Sequence, residues 1–216
     1  MVGATEQRLN DDEFTFKDYY SWSSDERCEL IDGRVYSMSP APTTSHQEIS
    51  TNLSGIFWNF FNGKKCKVFH APFDVRFPLK NEPDDDIRTV VQPDISVICD
   101  LSKLDEKGCR GAPDLIVEII SVSSASKDHI KKKALYERHG VREYWLVNPL
   151  DRVVVVYCLE ADKKFGAARI FVCYEEGLLL ESSIFPGLTV DFNSVFPPVK
   201  IVVCEPLAKY LKGDVK

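Results

Sequence analysis

The stretch DLIVEIIS, residues 114–121, constrains this chain more than any other. Leu115, Ile116, Val117, Ile119 and Ile120 are apolar at both parities, so the segment reads as a strand covered on both faces, which requires a layered sheet architecture. Inside that run stands one carboxylate, Glu118, which alternation places on the same side as Ile116 and Ile120. A carboxylate in such a place needs an ionic partner, hydrogen bonds or a metal ion, because an uncompensated buried charge costs several kcal/mol.

The elements around it follow from periodicity and punctuation. Thr15 and Asp18 start a short helix, and CELIDGRVYSM reads as a hairpin turning at Asp32-Gly33. Ser45 and Glu48 form a capping box before Ile49, Leu53, Ile56, Phe57 and Phe60, which recur at helical spacing until Gly63. KCKVFHAPFDVRFP reads as a strand or bent pair, and NEPDDDIRTV as a loop. VQPDISVICD is a further strand with Pro93 at its mouth and Asp94 just inside, and a polar connection then leads into the 114–121 strand. Ser126 caps a predicted helix KDHIKKKALYERH that ends at Gly140, and three more strands and a short closing element complete the chain. This order predicts an α/β (α+β) fold with a central mixed sheet flanked by helices. Neither a repeat nor a linker divides it, so one domain over residues 1–216 is expected.

A chain of 216 residues that is 44% hydrophobic supports a full core. Its apolar runs are strand-length and its start lacks a signal-like segment, which predicts a cytoplasmic protein with no membrane partner. Seven cysteines form no CxxC pair, so reduced core thiols are expected rather than disulfides or zinc ligands. The net charge of −6 excludes a sequence-blind electrostatic grip on nucleic acid over the whole surface. A local basic rim remains open, from Lys64, Lys65 and Lys67, from Lys131, Lys132 and Lys133, or from Arg138 and Arg142, as does a plain solvated face. Phosphate-loop, dinucleotide, serine-hydrolase and zincin signatures are all missing.

Asp94, Glu118 and one lysine of the 131–133 triplet make a chemically coherent set. Two carboxylates on neighbouring strands suit Mg²⁺ (or Mn²⁺), which takes oxygen ligands and keeps waters, and an adjacent ammonium stabilises charge on a phosphate. Such parts suit phosphodiester hydrolysis. The same residues also admit a plain reading, in which Asp94 satisfies a turn and Glu118 pairs with a buried cation.

The stretches CELIDGRVYSMSPAPTTSHQEIS, FDVRFP, VQPDISVI, APDLIVEIISVSSASKD, KALYERHGVREYWLVNP and IFPGLTV, spanning about Phe16 to Phe196, resemble the Uma-two family, a group similar to the PD-(D/E)XK restriction endonuclease-like proteins. The resemblance implies a restriction endonuclease-like core and a metal-dependent endonuclease acting on DNA, with Asp94 of Pro93-Asp94 and Glu118 as metal ligands. Ile120 stands where the wider superfamily carries lysine. The family pattern instead implies Lys132, four residues before Tyr136, on one helical stripe with Asp128. Glu29 matches a family acid that can hold a second metal, a water or the Lys132 ammonium; solvation at the hairpin edge is the alternative. His46 falls at a family histidine implied to contact substrate, or merely solvent from the first turn of its helix; Gln92, also assigned to substrate, and Asp74 are weaker matches, each with a plain hydrogen-bonding explanation. A homodimer is implied by analogy. The alternative function is a nucleic-acid-binding or self-associating module that keeps the nuclease core without useful turnover.

Overall fold

The computed structural model describes residues 13–22, 27–38, 41–120, 127–174 and 178–198, with the side chains of 127–129 outside that description. The predicted Ser126 cap and the Asp128 side chain therefore lie outside the described residues.

The strands divide between two six-stranded sheets and a small two-stranded one. The first sheet runs, in spatial order, β2 (Arg34–Ser37), β1 (Cys28–Ile31), β5 (Val90–Val91), β4 (Val75–Arg76), β8 (Gly108–Arg110) and β7 (Leu104–Asp105). The second runs β12 (Arg169–Val172), β11 (Val153–Cys158), β10 (Glu143–Asn148), β9 (Leu115–Ile119), β6 (Ile95–Ile98) and β3 (Lys67–His70). β13 (Leu179–Glu181) and β14 (Thr189–Asp191) form the third. The helices are α1 (Phe16–Ser21), α2 (Thr44–Phe61), α3 (Lys127–His139) and α4 (Phe192–Val195). The fold is thus mixed α+β, but its strands make two large mixed sheets where one was expected.

The difference has a local cause. The segments that read as single strands are broken and shared between the sheets: β3 and β4 are separated at the cis Ala71-Pro72 bond, and β5 and β6 at Gln92-Pro93-Asp94. Pro93 has no N–H for a ladder and holds Gln92 in extended backbone, so the chain leaves one sheet and enters the other there. The polar connection after β6 is also ordered, as the β7–β8 hairpin, whose Gly108 has φ +116° and lies so close to the Asp74 carbonyl that a Cβ would stand 2.2 Å from it.

Alternation sorts β6 and β9 between two cores. Ile95, Val97, Leu115, Val117 and Ile119 pack under α2, where Ile49, Leu53 and Phe57 present one helical stripe. Ile98 and Ile116 face the opposite way, toward Leu135 and Tyr136 of α3 and toward Ile31, Val75 and Val91 of the first sheet. Glu118 shares the parity of Ile116, so it faces this second core, where sheet meets sheet. β9 and β10 are parallel and are joined through α3, which lies over that face. At the other end of the chain order, Phe16 of α1 closes a third cluster with Leu30, Ile87 and Val90 on the far side of the first sheet.

Two further expectations are corrected. The N-cap of α2 is Thr43, whose hydroxyl accepts from the His46 N–H, and not Ser45, which lies within the helix. Cys66 and Cys99 form a disulfide instead of standing as reduced thiols. The β3–β6 register, Lys67 opposite Ile98, brings the two cysteines opposite each other one step further on. Cys109 and Cys173 are free and buried, as expected of core thiols. No helix among the described residues is long and apolar enough to cross a membrane.

Candidate active site

Five elements meet at Glu118. Register sets the first pair: Ile95 lies opposite Val117, so one step further Asp94 falls opposite Glu118 on the same face. The carboxylate of Asp94 accepts from the Ile119 backbone N–H (Oδ2, 2.7 Å), so it stands where a ladder carbonyl would otherwise serve, while the Asp94 carbonyl accepts from Ala71. β1 contributes Glu29, two residues from Ile31 and therefore on the same inward face. α3 contributes Lys132 and Tyr136, one turn apart and stacked on one stripe.

Lys132 sits at the centre. Its Nζ donates to Glu29 Oε1 and to Glu118 Oε1, both at 2.9 Å, and Tyr136 OH donates to the same Glu118 oxygen at 2.5 Å. Glu29 is buried and accepts from the Lys132 ammonium instead of lying solvated at the hairpin edge. Glu29 Oε1 is in turn fixed by the Gln92 backbone N–H at 2.9 Å. His46, in the first turn of α2, reaches Asp94 Oδ2 through Nε2 at 3.3 Å, and its Nδ1 is buried with no partner among the described residues.

The structure therefore brings together Asp94, Glu118, Lys132, Glu29 and His46. Gln92 contributes only its backbone: its side chain points to the other face of the first sheet, where it donates to Asp74 and Tyr19 and accepts from Arg27. Asp74 belongs to that same outer network. Tyr136 is the participant that residue-by-residue reading undervalued. Its spacing from Lys132 was visible, but its hydroxyl's role depends on the packing depth of α3.

The charges do not balance. Three carboxylates, Asp94, Glu118 and Glu29, share one ammonium and one imidazole. Burial pushes Glu118 up, to about 7; Lys132 opposes this, while the charges of Asp94 and Glu29 add to it. For Lys132, burial works against the charged form, yet Glu118 and Glu29 outweigh it and hold the ammonium well above its usual range. His46 follows the same logic, with burial opposing and the Asp94 hydrogen bond and charge prevailing, so its pKa is raised. Burial and then the Glu118 charge push the Tyr136 phenol well above its ordinary value, which keeps it a donor.

The donor set is compatible with a hard divalent cation. No group of three or more His, Cys, Asp or Glu side chains among the described residues makes a protein-only metal cage. Among the described residues no donor engages Asp94 Oδ1 or Glu118 Oε2, and two such carboxylate oxygens suit an ion that retains waters and takes further ligands from substrate.

The mixed α+β arrangement matches a nuclease-like fold. A crystal structure described as "a putative nuclease belonging to DUF820" from Anabaena variabilis superposes with a TM-score of 0.64 over 85% of this chain and 97% of its own, at 20% identity. The sequence profile of the Uma2 family, described as "Putative restriction endonuclease", matches residues 16–193, and the chain belongs to that family. It is also 27% identical over 144 residues to "Uncharacterized protein slr1290" of Synechocystis sp., covering 65% of this chain and 72% of that one.

Proposed function

We propose that this chain is a metal-dependent endonuclease that hydrolyses DNA phosphodiester bonds, with Mg²⁺ or Mn²⁺ held by Asp94 and Glu118. The observation that supports it is the excess of negative charge: Glu29 from β1 and Glu118 from β9 share the Lys132 ammonium, Asp94 at the start of β6 pairs with the His46 imidazole beside them, and a divalent ion would offset that excess. Such an ion, when bound, supplies Lewis acidity toward the scissile phosphate and acidifies water.

The chain's own groups divide the remaining work. Glu29 and Glu118 keep Lys132 protonated, so it serves as a fixed positive charge toward phosphate oxygens and not as a general base. An ammonium has three donors, and two are engaged among the described residues, which leaves one for substrate. Tyr136 and Lys132 both occupy Glu118 Oε1, so Oε2 would be the oxygen to hold the cation. His46 and the Ile119 N–H do the same for Asp94 by engaging Oδ2. A cytoplasmic homodimer belongs to the same proposal, and sedimentation at micromolar concentration decides the dimer.

The test is nicking of supercoiled plasmid with and without Mg²⁺ or Mn²⁺. The wild type nicks only with metal, and Glu118→Gln and Lys132→Gln do not. Metal-independent nicking, or nicking retained in Glu118→Gln, contradicts the proposal. The second reading is a nucleic-acid-binding or self-associating module without turnover. It draws support from Lys132 already holding two carboxylates, and DNA binding with no cleavage under any metal would assign it.

A further inference from the structure

Helix α3 lies along the β1–β2 hairpin and is fastened to it at two points seven residues apart on the helix. At the hairpin tip, Arg138 forks onto the Asp32 carboxylate, with one nitrogen at 2.7 Å and the other at 3.4 Å. At the far end, Lys131 lies over the ring of Tyr36, its Nζ 4.6 Å from the centroid and 3.5 Å from the hydroxyl. The two fastenings differ electrically. Asp32 neutralises Arg138, whereas a ring quadrupole steadies Lys131 without cancelling its charge. Among the described residues no carboxylate pairs with Lys131, and its side chain is exposed.

This cation, which no carboxylate cancels among the described residues, borders the candidate active site. Tyr36 stands opposite Glu29 in the hairpin register, and Lys131 is the neighbour of Lys132, so the pair lies beside the Glu29–Lys132–Glu118 cluster while the Lys131 side chain stays exposed. The platform is rigid as well. The turn at Asp32 and Gly33 has φ values of 50° and 80°, the Gly33 N–H donates to the Arg88 carbonyl, and the Phe14 N–H donates to the Gly33 carbonyl. A lysine whose stem is ordered on an aromatic ring loses less freedom on meeting a ligand than a free surface lysine does.

We propose that Tyr36 and Lys131 form the docking rim for duplex DNA, with the Lys131 ammonium on a backbone phosphate next to the scissile one and the Tyr36 ring holding it there. The assignment rests on the nuclease reading for the identity of the strand, and the charge complementarity rests on the Tyr36–Lys131 geometry alone. Lys131 here is a binding residue, distinct from Lys132, which faces the carboxylates.

The experiment is titration of a labelled 20-base-pair duplex into the Glu118→Gln protein over a series of salt concentrations, with circular dichroism confirming the fold of each variant. Lys131→Ala raises Kd about fivefold to tenfold at low salt and flattens the plot of log affinity against log salt by about one, the loss of a single phosphate contact. Tyr36→Ala raises Kd by a similar factor with a smaller change in slope, and Tyr36→Phe keeps affinity. Arg138→Ala, which removes a neutralised charge of the same sign, stays within about twofold of the parent. Equal Kd and equal slope for Lys131→Ala and parent overturn the proposal, as does a parent that binds no duplex, or a preference for RNA of the same sequence. Because this measurement requires no cleavage, Lys131-dependent binding in a protein that never nicks leaves the rim standing while the nuclease reading fails. Wild-type nicking whose KM ignores Lys131→Ala does the reverse.

Discussion

Two buried glutamates lie on adjacent strands of one sheet, and they are held in opposite ways. Glu143 on β10 is fully buried; the Arg169 guanidinium pairs with its Oε1 at 3.7 Å, and the hydrogen-bond donors around its two oxygens are neutral. It accepts from Trp145 Nε1 (2.8 Å), Ser182 Oγ (2.7 Å), and the Ser183 and Ile184 N–H groups, and thereby pins the start of the 182–188 turn to the sheet. Glu118 on β9 has, among the described residues, both of its donors on one oxygen and two further carboxylates nearby. Burial is therefore not what distinguishes a candidate site. A saturated carboxylate among neutral donors is a rivet, whereas one in an electrically unbalanced cluster, with an oxygen clear, is positioned to take a ligand.

The comparison breaks first through activity. Glu118→Gln should cut metal-dependent nicking by about a thousandfold, equivalent to about 4 kcal/mol of transition-state stabilisation, while leaving stability at neutral pH within about 1 kcal/mol. Chemical denaturation and a nicking assay on one preparation check both halves. Glu143→Gln should do the opposite. It leaves at least one buried N–H or O–H without its acceptor and costs about 3 kcal/mol of stability, with cleavage per folded molecule unchanged.

The pH dependence sharpens the same contrast. Glu118 has its folded pKa raised from 4.5 to about 7, so between those values the folded protein holds a proton that the unfolded chain has released. Stability without divalent metal should then fall as pH rises through this window, by on the order of 3 kcal/mol. His46, also raised, contributes stability that is complete below its ordinary 6.5 and is lost as pH passes its folded value, which has the same sign. Denaturation midpoints from pH 4.5 to 7.5 should show the slope in the wild type, a much shallower one in Glu118→Gln, and an undiminished one in Glu143→Gln. The smallest effect is that of Tyr136→Phe. It removes one donor from Glu118 Oε1, costs about 1 kcal/mol, and moves the Glu118 titration further up, since the Tyr136 hydrogen bond lowers it.

Much of this contrast was legible in the chain, but only on one side. Glu118 declared itself by interrupting an apolar run, and Pro93-Asp94 by standing at a strand mouth, because alternation and proline geometry are local. Lys132 emerged from family resemblance and not from periodicity, since three consecutive lysines carry no helical phase. Glu143 stayed hidden: at the start of a strand it looks like an ordinary polar flank, and its donors among the described residues, Trp145 Nε1 apart, come from residues about 40 positions later or from Arg169. The split of the strands between two sheets escaped for a similar reason, as two-residue strands such as β4 and β5 are too short to show a period. The Cys66–Cys99 bridge depends on pairing β3 with β6 across 33 positions, and the turn of the Gln92 side chain away from the site depends on which face Pro93 leaves it.

The claim beneath all of this is that the Asp94–Glu118–Lys132–Glu29 cluster carries unbalanced negative charge that a divalent cation fills. Calorimetric titration of Mn²⁺ into the metal-free protein, paired with thermal melts of the same samples, tests it most directly. The account predicts one saturable site in the wild type and a Tm that rises with Mn²⁺, worth about 2.7 kcal/mol at a hundredfold excess over Kd. Both signals should be retained in Glu143→Gln and lost in Glu118→Gln. A wild type that shows no binding heat, and a Tm indifferent to Mn²⁺, would contradict it and leave Glu118 as one member of a structural ion pair with Lys132.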